Sequence, residues 1–375
     1  MIMLSPSKLT DNPWQALGAT HADTTARLDG VAPNSLGRTP ASLFHRDSWS
    51  AYARILRRAS PHRPDLCYGI EIGTANMKLA ACDAGGAVQY SERVDTAGFS
   101  FDEIVDAVCD LVGAADSALA TKAPLGLAVP GIVDSATGLH QTANLACLRG
   151  RTLLPLLRAR LNRTITLGND CHCFALSEAH GGAGAGQPSL FGLILGAGAG
   201  AGYVVDGRLV LGRNRAAGEW GHWPLAPALL ARYGLRSLPC PCGASACLER
   251  YLAAPGLRHL HAYQIGEADV PLDALVKRSD AGDSIARASL ALHAELLGAA
   301  IAHIVLAYDP HVIVLGGELS RMSHLYKDVP DAVRAHLMPG LQAPPILPSH
   351  FGDTGGARGA ALLVRQYLPA SLELS

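Results

Sequence analysis

From Cys67 onward the apolar positions fall into short continuous runs, separated by Gly-rich turns and by longer stretches with helical spacing. Tyr68 to Ile72 reads as a strand, Gly73 to Asn76 as a tight turn, and the run to Asp83 as a returning strand. Phe101 to Leu119 has the spacing of an amphipathic helix. Leu125 to Val129 is a buried strand running into Pro130-Gly131. Thr164 to Gly168 is another strand, and Asn169-Asp170 sits where it hands over to a helix from Cys171 to His180. Two further strands, Phe191 to Gly196 and Gly202 to Asp206, are joined by alternating Gly and Ala. A long helix from about Ser284 to Tyr308, a buried strand Val312 to Leu315, a turn at Gly317 and a closing helix Gly356 to Tyr367 complete the pattern. Strand, turn, strand and then helix occurs twice. That repetition predicts a duplicated α/β domain with a cleft between its halves.

Residues 1–66 have a different texture, polar and rich in Thr, Ala, Pro and Arg. Only Asp47 to Arg58 is periodic there, with Trp49, Tyr52, Ile55 and Leu56 on one helical face and Asp47 as N-cap. The segment reads as an N-terminal extension that packs on the body or on a partner, in part disordered. The chain of 375 residues is long enough for two domains. Its formal charge of −1 supplies no field favouring nucleic acid or an anionic membrane, so neither is expected as a partner. No apolar run approaching the roughly 20 residues of a membrane span is expected. The start shows no charged region followed by an apolar core, so no export signal is read, and with reduced thiols this points to the cytoplasm.

The densest chemistry lies between Gly218 and Glu249. Glu219 and His222 precede an apolar insert, after which Cys240, Cys242, Cys247 and Glu249 follow within ten residues. One imidazole and three thiols are the ligand set of a closed tetrahedral zinc site. The competing readings are buried thiols packed as small hydrophobes, and a disulfide. Three cysteines in eight residues, broken by Pro and Gly, cannot all face one core. The other six (Cys67, Cys82, Cys109, Cys147, Cys171 and Cys173) lie in apolar stretches and read as core residues. A metal fixing this loop would hold Glu219 and Glu249 as acceptors for a polyhydroxylated ligand, with no chemistry at the metal itself.

Gly196, Gly198, Gly200 and Gly202 satisfy the spacing of a dinucleotide fingerprint, but that motif needs a strand followed by a helix, and here strands stand on both sides. Glycines in such a turn can let backbone N–H groups approach a phosphate; a plain tight hairpin is the alternative. The same pair of readings applies to Gly73, Thr74 and Asn76 and to Gly316-Gly317. Asp170, at a strand end and helix start, is placed to take a proton from a hydroxyl attacking a phosphoryl group, or else is an ordinary helix cap.

These segments together resemble the ROK (repressor/open-reading-frame/kinase) sugar kinases, which have the actin-like ATPase fold. The resemblance rests on Gly69 to Gly73, Pro130-Gly131, Asn169-Asp170 with Cys173 to Ala179, and Gly192 to Gly196. It also rests on Ala217 to His222, the cysteine cluster with Leu248-Glu249, Asp309 to Gly317 and Gly352 to Ala361. Within the family it is most similar to bacterial N-acetylglucosamine kinases and the neighbouring fructo/mannokinases. The resemblance implies Asp170 as catalytic base on the sugar 6-hydroxyl. Asn144, Asn169, Glu219, His222 and Glu249 would be sugar contacts, and the other ring nitrogen of His222 would join Cys240, Cys242 and Cys247 on a structural Zn²⁺. Gly73, Thr74 and Asn76, with Gly196, Gly198 and Gly200, would form two phosphate loops for ATP with Mg²⁺, and Gly316-Gly317 the adenosine loop. It also implies a homodimer. The expected lobes are 67–166 with 356–375, and 167–355 carrying the zinc site.

Against the family pattern, Glu71 replaces Asp, Thr74-Ala75 replaces Gly-Thr, Ala197 replaces Thr, and Glu318 stands where a third Gly is usual. Two hydroxyls that would donate to phosphate are absent, which weakens the ATP half while the sugar half is intact. Three functions follow: a kinase for N-acetyl-D-glucosamine or another hexose, a catalytically weak sugar sensor, and a DNA-binding repressor. The last is disfavoured because residues 1–66 lack the two-helix pattern of a winged helix.

Overall fold

The computed structural model describes residues 65–134, 136–142, 144–265 and 270–368; the helix predicted at Asp47 to Arg58 lies outside the described residues. The described residues open with the meander β1 (Cys67–Ile72), β2 (Asn76–Cys82) and β3 (Val88–Asp95), then helix α1 (Phe101–Leu119). Next come β4 (Leu125–Val129), the small hairpin β5 (Ile132–Val133) and β6 (His140–Gln141), helix α2 (Leu154–Leu161), and β7 (Ile165–Asn169). Helix α3 (Asp170–Ala179) leads to a second meander, β8 (Ser189–Leu195), β9 (Ala199–Val205) and β10 (Arg208–Leu209). A helical segment follows: α4 (Pro227–Tyr233), α5 (Glu249–Leu252), α6 (Ala254–Ile265), α7 (Leu272–Asp280) and α8 (Ser284–Tyr308). The chain ends with β11 (Val312–Gly316), α9 (His324–His336), β12 (Ile346–Pro348) and α10 (Gly355–Tyr367).

Two five-stranded sheets result, ordered β3-β2-β1-β4-β7 and β10-β9-β8-β11-β12. Each is a meander of three antiparallel strands extended by two parallel ones. The predicted duplication is therefore literal, since both halves have the same strand order and the same pattern of directions.

Helices α3 and α10 pack against each other and join the two sheets. Positions 69 in β1 and 126 in β4 are glycine because α10 lies directly on them; a Cβ at either would run into the backbone of Ala357 or Ala360. Phe174 and Leu176 of α3 share a core with Leu190 of β8, Val314 of β11 and Leu363 of α10. Because α3 starts directly after β7, its first turn is delivered to the edge of this interface.

Helix α1 is bounded as predicted, with a full capping box between Ser100 and Glu103. Its Ile104, Val108, Leu111 and Val112 bury one face in the core of the first sheet. Two expectations are corrected. Helix α8, of 25 residues, is long and apolar enough to cross a membrane, but 67% of its most apolar window is buried. Leu296, Leu297, Ile301 and Ile304 line the core of the second half, so α8 is apolar nearly all round because neighbouring elements enclose it. Cys109 and Cys147 are half-buried, whereas Cys67, Cys82, Cys171 and Cys173 are buried.

Candidate active site

Strand β7 ends at Asn169, and this residue, not Asp170, is the cap of α3. Its side-chain oxygen accepts from the backbone N–H groups of Cys171 (2.8 Å) and His172 (3.2 Å). Its amide donates to Gly131 O (3.0 Å), tying the Pro130-Gly131 turn to the start of α3. Asp170 is thus the first helical residue, and its carboxylate accepts from Cys171 N at 2.9 Å. Burial pushes its carboxyl above the usual value of 3.8, and the Cys171 N–H partly opposes that.

The two remaining carboxylates come from the second half. Glu219 precedes a single 3₁₀ turn, Trp220–His222, seated on β9. Gly218 before it has φ +99°, and a Cβ there would strike Ala201 O of β9. Glu249 opens α5, and its Oε2 accepts from Ala199 N of β9 at 3.1 Å. Burial raises the Glu219 carboxyl; His222 lowers it, and the charges of Asp170 and Glu249 raise it further. The three acids therefore share one electrostatic environment.

His222 connects this acid group to the cysteine cluster. Its Nε2 lies 3.7 Å from Glu219 Oε2, and its Nδ1 lies 3.7 Å from Cys240 Sγ. Cys242 Sγ and Cys247 Sγ are 3.6 Å apart, and the four potential ligand atoms all lie within 4.8 Å of one another. With Zn–S near 2.3 Å, the edges of a tetrahedral site are about 3.5–3.8 Å, so this set fits zinc. The cluster sits on the short hairpin-like bridges Pro239–Ser245 and Pro224–Cys247, which are its local backbone support.

A cavity of about 860 Å³ brings these groups together. Asn144, Asn169, Asp170, Glu219, His222 and Glu249 all line it, as do Gly73, Thr74, Gly198 and Gly200. Among the other expected residues, Cys242 lines it, whereas Asn76, Gly196, Gly316, Gly317, Cys240 and Cys247 do not. Asn76 pairs with Asp95 in the first sheet, and its carbonyl accepts from Gly73 N (2.9 Å) to close the first Gly turn. Gly196 and Gly317 adjoin, the latter packed on the Leu195 carbonyl, so the second and third Gly turns form one continuous rim. Glu71 of β1 lies over Gly356 at the start of α10.

Residues not anticipated from sequence also line the cavity: His140, Thr142 and Arg149, with Cys171 beside the acid. Arg149 Nε donates to Thr142 O at 2.9 Å. They lie mostly in the irregular stretch after β4, where neither periodicity nor motif spacing marks a residue.

Comparison with known proteins completes this picture. The ROK family model matches residues 67–367. The chain is 38% identical over 301 residues to an N-acetylgalactosamine kinase of Shewanella sp. strain ANA-3, covering 80% of this chain and 96% of that one. It is 36% identical over 301 residues to the N-acetyl-D-glucosamine kinase of Escherichia coli O157:H7, covering 80% and 99%. Among solved structures, the ROK hexokinase from Thermus thermophilus superposes with a TM-score of 0.72 at 27% identity, covering 80% of this chain and 99% of that chain. A ROK glucokinase from Streptomyces griseus, in complex with glucose and AMPPNP, gives a TM-score of 0.66 at 25% identity, with the same coverage. The doubled sheet is thus the actin-like ATPase fold of these kinases, and the chain belongs to the ROK family.

Proposed function

We propose that this protein transfers the γ-phosphoryl group of ATP to the 6-hydroxyl of an N-acetylhexosamine, N-acetyl-D-glucosamine foremost. The carrying observation is that Asp170 of α3, Glu219 and His222 of one 3₁₀ turn, and Glu249 of α5 face one cavity whose other edge is formed by Gly-rich turns. Sequence relatives named as N-acetylglucosamine and N-acetylgalactosamine kinases support the same class of acceptor.

In this reading Glu219, Glu249, His222 Nε2, Asn144 and Asn169 hold the sugar hydroxyls, and Asp170 accepts the proton of the 6-hydroxyl. The sugar oxygen attacks the γ-phosphorus in line, the bond to the β–γ bridging oxygen breaks, and ADP leaves. Mg²⁺ bound with ATP would supply charge neutralisation at the phosphate oxygens. The turns at Gly73-Thr74 and Gly198 to Gly200 would face the phosphates. The N–H groups of Gly73 and Ala199 are already given to Asn76 O and Glu249 Oε2 and are not phosphate donors in this reading. Burial of Asp170 suits the role, because a carboxyl raised toward working pH is a stronger base.

Zinc, held by His222 Nδ1, Cys240, Cys242 and Cys247, would be structural: it would close the loop and fix the ring so that Nε2 faces the cavity. Thiolate ligands favour a reducing compartment, consistent with a cytoplasmic site of action. A homodimer is the assembly expected from the family resemblance.

Ala75 and Ala197, which replace threonines of the family pattern, favour one second reading, a sugar sensor with weak ATP use. ADP release from ATP-Mg²⁺ tests both. The panel is N-acetylglucosamine, N-acetylgalactosamine, N-acetylmannosamine, glucose, mannose, fructose and no sugar. Sugar-dependent turnover supports the kinase; sugar binding by calorimetry with no turnover favours the sensor.

A further inference from the structure

We propose that His172 is a positioning residue that holds the Glu219 loop in register with the end of α3 that carries Asp170. This rests on the roles proposed above for Asp170 and Glu219. His172 lies two residues beyond Asp170, is 2% exposed, and places Nε2 2.6 Å from Ala217 O. A carbonyl only accepts, so Nε2 carries the hydrogen and the neutral ring has a defined tautomer. Burial lowers the affinity of the ring for a second proton, in keeping with that form.

Ala217 stands two residues before Glu219, in a stretch without regular structure. The backbone bonds made by this stretch are long: Ala217 N to Leu211 O is 3.2 Å and Glu219 N to Ala216 O is 3.4 Å. Arg215, with φ +57°, donates to Leu167 O of β7 at 3.2 Å. The bond from His172 is shorter than each of these. It connects the second half's acid loop to the helix turn that bears the base. Without that donor, Ala217 O would be a half-buried acceptor lacking its partner, and the loop would shift to recover one.

A buried histidine that merely fills the core would lower stability when changed, without favouring one substrate over the other. The test uses the full chain with His172→Phe, which removes the donor, and His172→Gln, which keeps an N–H. Readouts are calorimetric dissociation constants for N-acetylglucosamine, KM for sugar and for ATP, and melting temperature. His172→Phe should weaken sugar binding and raise the sugar KM about tenfold, as loss of one buried bond implies, while the ATP KM stays within about twofold. His172→Gln should recover most of the loss. In a Glu219→Ala background the effect of His172→Phe on sugar binding should vanish, because the two act through one loop. If His172→Phe does not fold, His172→Met is the second donorless variant.

An additive double-mutant cycle, or equal changes in both KM values, would overturn the proposal while leaving the kinase reading intact. Wild-type protein that binds no panel sugar would overturn the site reading, and this inference with it.

Discussion

Gly198→Ala separates the function of the cavity from the stability of the fold. Gly198 lies between the strands of the β8–β9 hairpin and does not use left-handed backbone, so alanine brings no conformational strain of that kind. The added Cβ would stand 2.6 Å from Glu249 Oε2 and 3.3 Å from Asn144 Nδ2. An ordinary contact needs about 3.4 Å or more, so the carboxylate must retreat by most of an ångström. That movement breaks its 3.1 Å bond to Ala199 N and withdraws an acceptor from the cavity. Loss of a hydrogen bond to a charged group costs about 1.5–3 kcal/mol, equivalent to roughly 10–150-fold in sugar affinity. Only the end of a flexible side chain moves and one bond to Ala199 N is lost, so the melting temperature should fall less than when a strand must shift. Gly221→Ala is the control: its Cβ would meet the backbone carbonyl of Ala199, so β9 itself must shift and the melting temperature should fall by several degrees. The assay is isothermal calorimetry with N-acetylglucosamine, paired with thermal denaturation. Wild-type sugar affinity in a folded Gly198→Ala protein would refute the placement of Glu249 in the sugar site.

Other expectations follow from the same geometry. Asp170→Asn should lower turnover about 10²–10⁴-fold with sugar binding kept, checked by ADP release and calorimetry. Since burial raises the Asp170 carboxyl above 3.8, the acid limb of kcat/KM should lie above that value, and rate should fall as pH drops through it. A limb below 3.8 would argue against Asp170 as base. Removal of metal by a chelator should lower melting temperature and sugar affinity together, because His222 belongs to both sites; sugar binding retained after complete removal would separate the two. His293 is buried and His324 half-buried, and desolvation lowers each to about 4, so both are neutral. The unfolded chain takes up these protons near 6.5, so stability is full above 6.5 and is lost as pH falls toward about 4. For fully buried His293 the gap amounts to roughly 3 kcal/mol. The urea midpoint should therefore drop between pH 7 and pH 5, and His324→Leu should flatten that dependence.

Much of the site was legible because its residues carry local signals. Asn169-Asp170 stands at a strand-to-helix junction, and Cys240, Cys242 and Cys247 crowd too closely for a core. At that junction the sequence left Asp170 two readings, proton acceptor or helix cap; the cap is Asn169, whose amide also reaches Gly131, 38 residues away in sequence. His140, Thr142 and Arg149 were missed for a related reason. They follow β4 in a stretch with no period, and they reach the cavity only because the β5–β6 hairpin folds over it.

By itself, the order of residues determined the elements and the chemistry they carry: alternating apolar runs, glycine turns, a capping box at Ser100 and a tetrahedral ligand set. These depend on contacts within a few residues, which spacing encodes directly. Only the tertiary structure decided which carboxylates share a field, which ring nitrogen of His222 faces the thiols, and that His172 reaches across to Ala217. Those outcomes depend on α3 and α10 packing between two sheets, so that Asn144, Glu219 and Glu249, which stand 26, 49 and 79 positions from Asp170, line one cavity with it. Such distances are set by the burial of whole faces and leave no period in the chain.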